Sequence, residues 1–94
     1  MAEEKELEQK LIRAVRREGG MALKFVSPNF NGMPDRLILI AKGKMAFVEV
    51  KSKGKKPRRL QLIRHRQLRE LGFQVYVLDE ESQIGGIIDA IRAT

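Results

Sequence analysis

The sequence predicts an α/β fold, with one sheet flanked by helices, on three observations. Apolar residues recur at helical spacing in segments near both ends and past the middle of the chain. Apolar runs of strand length lie between these segments, and clusters of turn-forming residues separate them. At 94 residues the chain can build one modest core and not two, so residues 1–94 are read as a single domain with no second catalytic module.

The elements follow in order. Between Glu3 and Glu18, Leu7, Leu11, Ile12 and Val15 recur at helical spacing, and Gly19-Gly20 supplies the stop. Ala22 to Val26 reads as a short strand, and Ser27 to Gly32 is a loop rich in turn formers. Arg36 to Ala41 is a near-continuous apolar run, as expected of a central strand covered on both faces. Lys42-Gly43-Lys44 turns the chain back into Met45 to Val50, making a hairpin. Ser52 to Arg59 is a basic loop, Leu60 to Leu71 a second helix with Leu60, Leu68 and Leu71 on its stripe, and Phe73 to Leu78 another strand. Ile84, Ile87, Ile88 and Ile91 mark a last helix, for which Ser82 is a candidate N-cap. The order is α-β-β-β-α-β-α.

Composition narrows the function classes. Nineteen Lys and Arg against twelve Asp and Glu give +7. Nine basic residues and no acidic one fall between Lys51 and Arg69, whereas four of the first eight residues are Glu. Such a one-sided field favours a polyanionic partner, nucleic acid before a membrane surface. No apolar run approaches the roughly 18 residues that span a bilayer, and the acidic, helical N-terminus is unlike a signal peptide. A soluble, cytoplasmic chain is expected. Without cysteine and with one histidine, a thiolate or His-rich site is excluded, and any metal must be held by oxygen.

Candidate chemistry centres on Pro34-Asp35 and, fourteen positions after Asp35, Glu49-Val50-Lys51. In an antiparallel hairpin the two acids sit at neighbouring strand ends, and Glu49 and Lys51 share a face while Val48 and Val50 take the other. An exposed Glu/Lys pair is common and contributes little. Here the pair ends an apolar strand, where a charge without a task is costly. Two carboxylates so close would repel unless they share a cation. On the first helix Glu8 lies beside Leu11, Ile12 and Val15 on the apolar stripe, with Glu4 one turn earlier as the alternative acid. Gln61 sits at the edge of the second helix's stripe, either as a site amide or as an ordinary boundary residue, and His65 is expected at the boundary too. Lys53, Lys55, Lys56, Arg58 and Arg59 are either a solvated charge run or a phosphate clamp, and their place beside the acids favours the clamp.

The series Gly32-Met33-Pro34-Asp35-Arg36, Phe47-Val48-Glu49-Val50-Lys51, Lys55-Lys56-Pro57-Arg58 and Gln61 resembles the VRR-NUC family, the virus-type replication-repair nucleases of the PD-(D/E)XK superfamily. The resemblance implies a restriction-endonuclease-like αβββαβ core, a mixed central sheet flanked by helices, with an extra C-terminal helix. It also implies hydrolysis of DNA with Mg²⁺ or Mn²⁺. By the family pattern Asp35, Glu49 and the Val50 carbonyl look like metal ligands, Lys51 the residue positioning the attacking water, Glu8 the helix-borne acid and Gln61 the helix-borne amide. Arg36 joins the basic loop as a DNA contact. The chain looks like stand-alone viral or bacterial members, which implies a homodimer acting on branched DNA such as four-way junctions. The alternatives are a non-catalytic basic DNA-binding module and a monomeric nuclease of flaps or duplex ends.

Overall fold

A computed structural model describes residues 2–94. Its elements are α1 (Ala2–Arg17), β1 (Met21–Lys24), β2 (Arg36–Ile40), β3 (Lys44–Val50), α2 (Arg59–Glu70), β4 (Val75–Leu78), a short 3₁₀ turn (Glu81–Gln83) and α3 (Ile84–Arg92). The predicted order stands, with boundaries shifted by one or two residues at most ends. The four strands lie in sequence order; β1–β2 and β2–β3 are antiparallel and β3–β4 parallel, so the sheet is mixed. Only α2 separates β3 from β4, as a parallel crossover requires.

Strand alternation sorts the core into two layers. Ile38, Ile40, Ala46, Val48, Val50 and Leu78 face α1 and α3 and pack on Leu7, Leu11, Val15, Ile87, Ile88 and Ile91. The opposite face carries Phe47 and Val75 against Leu68 of α2, with Phe25, Met33, Leu37 and Met45 filling in. No helix is long and apolar enough to cross a membrane among the described residues.

Three sequence expectations are corrected. The α2 stripe is not Leu60, Leu68 and Leu71: the helix buries Gln61, His65 and Leu68, while Leu60 and Leu71 are exposed. His65 is therefore no boundary residue, being 1% exposed with neither ring nitrogen hydrogen-bonded. Ser82 does not cap α3; it lies inside the 3₁₀ turn, and Gln83 takes the position before the helix. The Gln83 side chain accepts instead from the Asp79 and Glu80 amides at 2.9 and 3.2 Å, which turns the chain into α3.

Candidate nuclease site

The hairpin brings the acids together. Arg36 pairs with Val48, and one step beyond that last pair the same register sets Asp35 opposite Glu49. Asp35 is secured through side chain and backbone: its Oδ2 accepts from the Val50 amide at 3.1 Å and its carbonyl from the Phe25 amide at 2.8 Å. Because the N–H and C=O of one strand residue point the same way, the Val50 carbonyl also turns toward Asp35. The Lys51 amide points the other way, to Leu78 of β4 at 2.9 Å.

Glu49 is 1% exposed, on the α2 side of the sheet. Its Oε2 accepts from Gln61 Nε2 at 2.7 Å and pairs with Lys51 Nζ at 3.2 Å. The amide cannot turn round, since Gln61 Oε1 accepts the Arg58 backbone amide at 2.8 Å where α2 begins. A helix-start contact thus fixes which end of Gln61 faces the acid. Glu49 Oε1 is buried without a partner.

Burial raises the pKa of both carboxyls above their ordinary values. For Asp35 the Val50 amide works against that rise, and the charges of Glu8 and, less, Glu4 add to it; for Glu49 the nearby Asp35 adds to it and Lys51 opposes. Ionised, the two carboxylates set two negative charges against the single ammonium of Lys51. A buried, unpartnered carboxylate oxygen beside a second acid and a strand carbonyl is a donor set that suits a hard, oxygen-seeking cation.

The remaining candidates fall in different places. Glu8 lies on the α1 side, where its Oε2 accepts from Arg36 Nε at 2.9 Å; Arg36 also reaches the Ala22 carbonyl at 3.3 Å. Glu8 and Glu4 line one hollow with Lys24, Phe25, Asp35 and Val50. Among the described residues, no group of three or more His, Cys, Asp or Glu side chains is gathered as metal ligands would be. Glu4, Lys51, Ser52, Lys55, Lys56 and Arg58 line the adjoining hollow, so Glu4 is a wall common to both. Lys55, Lys56, Arg58 and Arg59 are exposed, and Lys53 leans toward Glu80 at 3.6 Å. His65, expected at the boundary one turn after Gln61, is instead buried on the same face of α2; burial, then Arg69 and Lys51, lowers its pKa.

The VRR-NUC domain profile matches residues 1–80. This chain belongs to the VRR-NUC domain family. It is 45% identical over 89 residues to a protein of Acyrthosiphon pisum secondary endosymbiont phage 1 named "Putative nuclease p44", covering 95% of each chain. A solved VRR-NUC domain structure superposes with a TM-score of 0.87 at 28% identity, over 93% of this chain and 95% of that one. Asp35, Glu49, Lys51 and Gln61 all lie inside the matched segment. The basic hollow opens beside them, and together they form the candidate site of a nuclease-family fold.

Proposed function

We propose that this chain is a metal-dependent, structure-selective DNA endonuclease that works as a homodimer on four-way junctions. The observation that carries the reading is the Glu49 carboxylate, buried, tied by Gln61 and Lys51 at one oxygen and open at the other, one register step across from Asp35. Asp35, Glu49 and the Val50 carbonyl would hold Mg²⁺ or Mn²⁺. Such a cation supplies Lewis-acid polarisation of a phosphate oxygen and offsets the charge that develops there.

The chain's own groups do the rest. Lys51 Nζ, held at Glu49, orients a water for in-line attack on phosphorus and balances charge on the phosphate. Gln61 keeps the Glu49 plane fixed, and Glu8, steadied by Arg36, adds a second line of negative charge on the α1 side. Lys55, Lys56, Arg58 and Arg59 clamp flanking phosphates and draw the polyanion past the acids. One site per chain makes a two-fold dimer the natural unit for symmetric cutting of two strands.

Labelled junction, flap and linear duplex incubated with Mg²⁺, Mn²⁺ or chelator test the proposal. The expected result is cutting only with a cation, strongest on the junction, and a loss of about 100-fold or more in Asp35→Ala and Lys51→Ala. No metal-dependent cutting by the native chain, or unaltered cutting by either variant, would sink the idea. A monomer by light scattering at micromolar concentration would rule out paired cutting.

A further inference from the structure

The loop between β1 and β2 is held more firmly than a nine-residue connection needs. Residues 26–34 leave the sheet after Phe25 and return at Asp35, and the Phe25 amide closes the neck on the Asp35 carbonyl. Within the loop the Phe30 amide donates to the Ser27 carbonyl at 3.2 Å. Pro28 and Asn29 hold the middle, and Asn29 takes φ 63°, as a type II turn requires of its third residue. Arg64 of α2 ties the loop down: its Nε donates to the Asn31 carbonyl at 2.8 Å, and its guanidinium lies 3.8 Å over the Phe30 ring.

What is held there is an aromatic ring outside the buried core, lining a hollow with Met33, Arg64, Leu68 and Leu71. The chain's other three phenylalanines form an edge-to-face series, Phe25 on Phe47 and Phe47 on Phe73. Phe30 is outside that series and 46% exposed. Its place is constrained by the site, because the neck of its loop is Asp35. Five extended residues reach no further than roughly 18 Å, about five nucleotide steps of a strand. On the helix side, the loop's Gly32 sits against Leu60, next in sequence to Arg58 and Arg59 at the start of α2.

Resting on the nuclease reading above, we propose that Phe30, backed by Arg64, is a stacking platform for an unpaired base of the DNA strand entering the site. Bases inside a duplex stack on one another and leave no face for a protein ring. A ring held within five residues of Asp35 therefore favours DNA with unpaired bases, while the neighbouring cations bind any phosphate backbone. Such a platform selects a branched or frayed substrate without reading its sequence.

Fluorescence anisotropy in chelator, where no cutting occurs, tests this with a linear duplex and the same duplex bearing a single-stranded flap. Phe30→Leu should weaken flap binding roughly 10-fold and duplex binding less than about two-fold, and Phe30→Trp should restore the flap. Equal losses on both DNAs, or no loss on the flap, overturn the platform. So does light scattering in which Phe30→Leu changes the oligomeric state, which would assign the ring to a second copy of the chain. Because binding is read without cutting, a native chain that binds the flap through Phe30 but never cuts defeats only the nuclease reading. A chain that cuts while Phe30→Leu keeps full flap affinity defeats only the platform.

Discussion

Glu49 is placed where a carboxylate is least comfortable, at the end of a buried strand with one oxygen open and a second acid across the hairpin. Both acids have pKa values raised above 3.8 and 4.5, so the folded chain holds protons that the unfolded chain releases. Folding is then favoured by acid: this contribution is full below the ordinary carboxylate range and is lost as pH rises through the raised values. Glu49→Gln removes the titrating group and keeps a hydrogen-bonding amide of the same shape. The variant should therefore gain thermal stability over the native metal-free chain as pH rises above the ordinary carboxylate range, while losing activity. Melting curves of both proteins in chelator check this, and a stability difference that does not grow with pH would contradict it. Added Mg²⁺ or Mn²⁺ should narrow the gap by stabilising only the native chain, by an amount that grows with the logarithm of the cation concentration once it exceeds Kd.

Helix α2 connects the parts of the site: Gln61 fixes Glu49, Arg64 fixes the loop that leads into Asp35, and Leu60 packs on Gly32 of that loop. Gly32 combines φ 92° with a position where a Cβ would lie 2.8 Å from Leu60 Cγ, whereas Gly43, at φ 72° in the β2–β3 turn, faces open space. Gly43→Ala should thus cost about 1 kcal/mol of backbone strain, and Gly32→Ala clearly more, with impaired cutting because the loop is levered off α2. Denaturant melts and cleavage rates of the two variants decide it; equal costs would mean that the helix contact is unimportant. The hairpin was legible in the sequence because two apolar runs and a Lys-Gly turn determine one register. The face of α2 was not. Hydrophobicity pointed to Leu60 and Leu71, but the helix turns Gln61 and His65 inward, because a helix that serves a polar site buries polar side chains where pattern reading expects apolar ones. The Glu8–Arg36 pair was also hidden, since it joins two elements 28 residues apart.

At the scale of the whole molecule, the +7 charge has its densest source in the segment from Lys51 to Arg69, with nine basic residues and no acidic one. Lys55, Lys56, Arg58 and Arg59 stand exposed at the hollow bordered by Lys51 and Glu4. Arg16 and Arg17 are equally exposed but lie at the far end of α1, about 20 Å along the helix axis from Glu4. Attraction that depended on net charge alone would treat the two groups alike. A strand threaded past Asp35 and Glu49 would contact only the first group, and each phosphate it neutralises releases counterions, so the logarithm of affinity falls with the logarithm of salt by about 0.9 per contact. The Lys55→Gln, Lys56→Gln double variant should lower that slope by about 2, whereas Arg16→Gln, Arg17→Gln, which removes the same charge, should leave it unchanged. Anisotropy titrations of a duplex from 50 to 300 mM salt (about 14 to 6 Å of screening length) separate the two. Equal reductions from both variants would mean that DNA lies on the molecule without a defined path, and the basic hollow would lose its claim to guide the strand to the acids.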